Sequence, residues 1–140
     1  MAPEIRGLCP LLQVFDMPTS IRFYRDVLGF QIHQTSPVLG PDYFHWAWLR
    51  WGDTGDADLM LNTAYESDSE RPAEPERARV AAHWDTGLFF GCPDVDAAYA
   101  ELRKNGVDVK EPKVAPYGMK QINFRDPDGY GICFQWPANS

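Results

Sequence analysis

The sequence predicts an α+β fold in which one structural module occurs twice. Three observations support this prediction: each half of the chain has the order strand–helix–strand–hairpin, each predicted helix follows an aspartate, and each ends at a glycine. Asp16 and Asp94 are 78 residues apart, and Gly29 and Gly106 are 77 residues apart. Neither copy can close a core alone, so we expect a single domain whose modules bury their sheets against each other or against a partner chain.

The first module is predicted over residues 7–64. The apolar run at residues 11–15 predicts a strand. Asp16 can cap a helix that tolerates Pro18 in its first turn, and apolar residues at helical spacing continue this helix to Gly29. Aromatic and alternating segments then predict the remaining strands, at residues 30–33, 43–51 and 59–61.

The second module is predicted over residues 87–137, after a linker at 65–86. The linker is rich in charge, serine and proline, and a short helix is plausible at residues 76–84. Asp94 caps the main helix of this module, and Gly106 follows its end. Strands are predicted at residues 88–92, 107–109, 121–124 and 132–136.

Composition and charge restrict the class of partner. The 140 residues carry a formal net charge of −7, which disfavours nucleic acid and anionic membrane surfaces, so we expect a small-molecule ligand. The three cysteines, Cys9, Cys92 and Cys133, are widely spaced and form neither a disulfide framework nor a zinc motif. Unpaired thiols of this kind favour a reducing cytoplasm.

Two segments resemble the opening and closing segments of modules in the vicinal oxygen chelate superfamily, which includes glyoxalase I, bleomycin resistance proteins and extradiol dioxygenases. The first is the F-Y-x-x-x-L-G-F run within residues 14–30, and the second is the D-P-D-G turn within residues 124–130. The resemblance implies two βαβββ modules that form a curved mixed sheet, an open half-barrel around a cavity. It also implies a homodimer.

The resemblance further identifies the four positions that hold a metal ion in metal-dependent relatives. In this chain they correspond to Cys9, Met60, a position near Gly87, and Cys133. None of these residues supplies an imidazole or a carboxylate, the ligands that hard divalent ions and non-haem iron prefer. We therefore expect no metal, no other cofactor and no catalytic residue.

The same positions lead to the functional hypothesis of a non-catalytic binding protein similar to bleomycin resistance proteins. Sulfur-containing residues would form the floor of the cavity and aromatic residues its walls, which suits a flat or cationic ligand. Strand alternation adds polar neighbours on the same faces. The predicted ligand-binding residues are Cys9, Leu11, Gln13, His45, Trp46, Trp48, Asp58, Met60, Asn62, Phe89, Cys133 and Gln135.

An enzyme is the alternative hypothesis. It would be a lyase or dioxygenase of the glyoxalase type whose metal ligands lie elsewhere in the sequence, or an isomerase that needs no metal. The isomerase would require His45 or His83 in the cavity, beside a carboxylate such as Asp58.

Overall fold

The computed structural model describes residues 1–139, which divide into two compact units. The first unit is Met1–Ala73, and the second begins at Glu74. This division lies within the predicted linker, residues 65–86. In the described part of the chain, no helix is both long and apolar enough to cross a membrane.

The first unit contains a four-stranded mixed sheet with the strand order β1-β4-β3-β2. Strands β1 and β4 are parallel, and the other pairs are antiparallel. A π-helical turn, Arg22–Val27, follows α1, and a 3-10 turn, Asp68–Glu70, follows β4. The elements are β1 (Leu11–Val14), α1 (Met17–Ile21), β2 (Gln31–Thr35), β3 (Trp46–Trp51) and β4 (Ala57–Thr63).

The two faces of the first sheet differ in burial because side chains alternate along each strand. Asp16 caps α1 as predicted, since its Oδ2 accepts a hydrogen bond of 3.1 Å from the backbone N–H of Thr19. Apolar side chains from the helical segment and from one face of the sheet form the buried core: Leu12, Val14, Met17, Ile21, Tyr24, Ala47, Leu49, Leu59 and Leu61. The intervening strand residues are less buried, and we call their side the open face of the first sheet.

The second unit repeats this architecture with the strand order β5-β8-β7-β6, and β5 and β8 are parallel. The first strand therefore pairs with the last strand in both units. This shared topology confirms the predicted α+β fold of two βαβββ modules. The elements are α2 (Arg77–Ala82), a 3-10 turn (His83–Asp85), β5 (Gly87–Gly91), α3 (Val95–Lys104), β6 (Lys113–Val114), β7 (Met119–Arg125) and β8 (Gly131–Pro137).

Two strand predictions need correction. Residues 107–109 form no strand, although Val109 is buried, and the second strand of this module is instead β6 at Lys113–Val114. Strand β3 begins at Trp46 rather than at residue 43, because the N–H groups of His45 and Trp46 donate to the Ser36 hydroxyl. The side-chain acceptor takes the place of backbone acceptors for these two N–H groups only, since the carbonyls of His45 and Trp46 still accept from the backbone N–H groups of Thr63 and Ser36.

The predicted linker helix is present as α2 and the 3-10 turn, and it packs on the D-P-D-G turn. The His83 ring stacks on Tyr130 with 3.9 Å between ring centroids and an angle of 7°. Its Nδ1 donates a hydrogen bond of 2.7 Å to the Asp128 carbonyl. Gly129 lies against Val80, so close that an added Cβ would be 2.4 Å from the Val80 carbonyl oxygen.

Replacing Arg25 with Met should lower the stability of the protein by up to about 1 kcal/mol at neutral pH. Arg25 makes a bidentate ion pair with Asp42, with N–O distances of 2.7 and 2.9 Å, and these bonds lower the pKa of that carboxyl. A lowered carboxyl pKa adds stability at higher pH, which is lost as the pH falls below about 4. Urea unfolding at pH 7 and pH 3 measures the effect, and a difference between variant and wild type that grows at low pH would contradict it.

Candidate functional site

The open face of the first sheet brings together most of the predicted ligand-binding residues. Strand register places Trp48 opposite Met60 and places Trp46 opposite Asn62. On the other side of β4, Leu11 is opposite Met60 and Gln13 is opposite Asn62. The predicted residues on this face are Leu11, Gln13, Trp46, Trp48, Asp58, Met60 and Asn62.

Asp58 is the best-positioned ionisable group on this face. Its Oδ1 accepts two hydrogen bonds, 3.0 Å from Trp48 Nε1 and 2.9 Å from Arg50 Nε. The Arg50 guanidinium also lies 4.9 Å from the Trp48 ring centroid. Oδ2 accepts no hydrogen bond from residues 1–139. The carboxylate is therefore held in place through one oxygen and can accept a proton through the other.

Cys9 lies just before β1 and is half-buried. Burial raises the pKa of its thiol, the negative charge of Asp58 raises it further, and Arg50 partly opposes both effects. The group therefore stays protonated near neutral pH. It offers neither a thiolate nucleophile nor a thiolate metal ligand.

His45 lines a different surface from Trp46 and Trp48, the two tryptophans predicted to bind the ligand together with it. It lines a cleft of about 250 Å³, open solvent included, whose lining contains neither Trp46 nor Trp48. Polar contacts cross this cleft: the Tyr43 hydroxyl donates to Asp68, and Arg71 pairs with Asp16 at 2.8 Å. The cleft is lined by Phe15, Met17, Tyr43, His45, Thr63, Tyr65, Ser67, Asp68 and Arg71.

The second unit carries the remaining predicted residues. Phe89 lies opposite Cys133 in the β5–β8 pair, and its side chain is 60% exposed. Cys133 is buried, which raises the pKa of its thiol. Gln135 accepts a hydrogen bond of 2.8 Å from Gln121 Nε2. Sequence reasoning missed Gln121, which becomes recognisable only once the register of β7 and β8 pairs it with Gln135.

The residues present do not fit the metal ion of the metal-dependent relatives. Within residues 1–139, no group of three or more His, Cys, Asp or Glu side chains is arranged to hold a metal ion. Burial also raises the pKa of all three cysteine thiols, which disfavours the thiolate forms that a soft metal would need. His83, the other candidate imidazole, is bound to the D-P-D-G turn.

Comparison with known proteins gives a family and several relatives. A model of the Glyoxalase/Bleomycin resistance protein/Dioxygenase superfamily matches residues 8–134. Lactoylglutathione lyase from Haemophilus influenzae is 31% identical over 127 residues, covering 89% of this chain and 87% of that protein. Lactoylglutathione lyase from Neisseria meningitidis serogroup A is 30% identical over 141 residues, covering 93% and 89%. Among solved structures, the antibiotic binding protein TnmS3 from Streptomyces sp. CB03234 is 27% identical, with a TM-score of 0.64 and coverage of 98% and 99%.

These relatives correct the functional hypothesis. The expectation of a non-catalytic protein that sequesters a flat or cationic ligand is wrong, because the curated relatives at about 30% identity are enzymes by name. That expectation rested on the lack of an imidazole or a carboxylate at the four metal positions. The carboxylate that the alternative hypothesis named, Asp58, lies two residues before Met60 on the same face of β4 and is held by Arg50.

Proposed function

This chain belongs to the glyoxalase/bleomycin resistance protein/dioxygenase superfamily, and we propose that it is a lyase that acts on a small thiol adduct. The observation that carries the proposal is the identity of 30–31% with two lactoylglutathione lyases over about nine-tenths of the chain. The substrate class is a thioester of a 2-hydroxy acid, or the adduct of a thiol with a 2-oxoaldehyde.

The two forms of such a substrate are isomers that differ in the position of one proton on the two neighbouring carbons and of one proton on their oxygens. A base removes the proton from the carbon that carries the hydroxyl group of the thioester, which gives an enediolate. The proton then returns to the adjacent carbon while the hydroxyl proton passes to the former thioester oxygen, so the alcohol carbon is oxidised as the thioester carbon is reduced. Breaking the carbon–sulfur bond of the resulting adduct, with transfer of its hydroxyl proton to sulfur, releases the thiol and the 2-oxoaldehyde, so no external oxidant or reductant is required.

In our proposal, Asp58 is the base of this reaction. Its Oδ2 is the oxygen that receives the proton, while Trp48 and Arg50 hold Oδ1. The Arg50 guanidinium lies beside the carboxylate and supplies positive charge for the enediolate oxygen. Leu11 and Met60 add apolar surface on the same face, which lowers the exposure of the reacting carbons to water.

We also propose a cellular location and an oligomeric state for this lyase. Lyase activity of this kind requires free small-molecule thiols, and the three unpaired cysteines of the chain are compatible with a reducing cytoplasm. We infer a homodimer, since large apolar side chains such as Leu8 and Phe89 are exposed in the single chain. No step of the proposed reaction passes through a metal ion, because the side chains of residues 1–139 offer no donor set that fits one.

A turnover assay tests the proposed function. The purified protein, dialysed against a chelator, is mixed with glutathione and a 2-oxoaldehyde, and thioester formation is followed by absorbance. We expect a rate clearly above that of buffer, and a rate within about twofold of that of undialysed protein, since proton transfer by positioned side chains needs no metal. A rate equal to that of buffer, or one that appears only after metal is added back, would contradict the proposal.

A further inference from the structure

Strand β2, an edge strand of the first sheet, contains a β-bulge at His33. Ile32 is the register partner of Leu49, whereas Gln34, two residues later, is the partner of Trp48, which directly precedes Leu49. Two residues of β2 therefore oppose one residue of β3, and His33 is the extra residue. Bulges of this kind change the direction in which a side chain points, and they are common next to active sites.

The His33 ring packs against the Trp48 ring on the open face of the first sheet. The two ring centroids are 4.6 Å apart and the ring planes make an angle of 76°, which is the edge-to-face arrangement that aromatic rings favour. Among residues 1–139, the His33 ring has no hydrogen-bond partner and no ion-pair partner. Trp48 is therefore the group through which His33 can affect the rest of this face.

The orientation of the Trp48 indole matters because Nε1–H is its one hydrogen-bond donor. This N–H donates to Asp58 Oδ1 at 3.0 Å, and Arg50 Nε donates to the same oxygen at 2.9 Å. Rotation of the indole about its bond to Cβ would turn the N–H away from Asp58. The carboxylate would then keep the Arg50 bond and lose the indole bond, so the direction of Oδ2 would be less well defined.

The contact with His33 restrains the indole independently of the other two groups. Arg50 also contacts the Trp48 ring, with its guanidinium carbon 4.9 Å from the ring centroid. However, Arg50 is bonded to Asp58 itself, so these two side chains and the indole can shift together. His33 lies on β2 and bonds to neither of them, and its ring therefore holds the indole from outside this group.

We propose that His33 is a positioning residue of the site: its ring holds the Trp48 indole in the orientation from which Nε1 donates to Asp58. The inference rests on the proposed function, in which Asp58 is the base. His33 takes no part in the proton transfer itself, and it increases the fraction of time for which the base is correctly oriented.

Hydrogen exchange of the Trp48 indole N–H, followed by NMR, tests the contact without any turnover. The chain has five tryptophans, and the signal that is lost in Trp48→Phe identifies Trp48. In His33→Ala this N–H should exchange about three- to tenfold faster than in the wild type, since an edge-to-face contact changes the population of an orientation by about this factor. His33→Phe keeps a ring at this position, and its exchange rate should stay within about twofold of wild type.

Steady-state kinetics gives a second readout. His33→Ala should lower kcat by about three- to tenfold with little change in KM, because the base is less often in place while the binding surface is intact. His33→Phe should restore kcat to within about twofold of wild type. Recovery of both kcat and slow N–H exchange in the same variant links the two effects to the ring contact.

Gln34→Ala is the matched control for His33→Ala. Gln34 belongs to the same bulge and is the register partner of Trp48, but it is exposed and carries no ring. We expect both the exchange rate and kcat of Gln34→Ala to stay within about twofold of wild type, as exposed surface changes have small effects.

The outcomes separate this inference from the proposed function. An unchanged exchange rate in His33→Ala, or equal changes in His33→Ala and Gln34→Ala, would overturn the positioning role even in an active lyase. Faster exchange with an unchanged kcat, or losses that His33→Phe does not restore, would also overturn it. A wild-type protein without lyase activity would instead overturn the proposed function, while the exchange rates would still decide whether His33 fixes the indole.

Discussion

Replacing Asp58 with Asn is expected to lower the kcat for thioester formation by about 100- to 10,000-fold, the usual contribution of a positioned general base. Asn keeps an oxygen that can accept from Trp48 Nε1 and Arg50 Nε, so the side chain remains in place. It cannot accept a proton from carbon. Steady-state kinetics should therefore show a loss in kcat with little change in KM.

Asp53→Asn is the matched control for this prediction. Asp53 is exposed in the turn between β3 and β4, so its replacement makes the same chemical change in the same hairpin. We expect its kcat to stay within about twofold of wild type, since exposed surface changes have small effects. If the Asp58→Asn enzyme were as active as the Asp53→Asn enzyme, Asp58 would not be the base, and its role would be limited to pairing with Arg50 across the strands.

Replacing Gly129 with Ala is expected to destabilise the protein by about 2–5 kcal/mol, from the combined costs of a left-handed backbone and of overpacking. Gly129 has φ +87°, and a Cβ would lie 2.4 Å from the Val80 carbonyl oxygen and 2.8 Å from Val80 Cγ1. Relief of this clash requires α2 to move away from the D-P-D-G turn. Chemical denaturation measures the loss.

Gly118→Ala isolates the part of this loss that comes from packing. Gly118 is in the same unit and has φ +89°, but an added Cβ would meet no atom within 4 Å. The Gly118→Ala change should therefore lower the free energy of unfolding only through left-handed backbone strain, by about 1–2 kcal/mol. If the two alanine variants were equally stable, the contact between Val80 and the turn would contribute nothing to α2 docking.

The duplicated module could be predicted because its signals are local. Asp16 and Asp94 cap their helices through their own side chains, and both bonds join residues three apart. Strand β6 could not be predicted, since its two residues, Lys113 and Val114, are exposed and pair only because β7 lies beside them. The alternation of Val107, Asp108 and Val109 predicts a strand that is not formed, because an apolar residue such as Val109 can be buried outside a strand.

The candidate site was predicted only in part, because its contacts depend on register. Alternation predicts that Leu11 and Gln13 share a face of β1 and that Asp58 and Met60 share a face of β4, and the strand register joins these two sets. No local pattern could show that Asp58 has one oxygen held and one available, since its partners come from β3. The sequence named Asp58 as a candidate carboxylate, but its fixed position depends on Trp48 and Arg50, which only the strand register brings beside it.

The parallel pairing of the first and last strands has a consequence for how each unit forms. Leu11 and Met60 are register partners about 50 residues apart along the chain, and Gly87 and Gly131 are separated almost as widely. Each sheet must therefore close a long loop before its edge strand gains any ladder bonds. Long-range pairing of this kind slows folding. During synthesis, β1 therefore remains unpaired until β4 has left the ribosome, and β5 remains unpaired until β8 has done so.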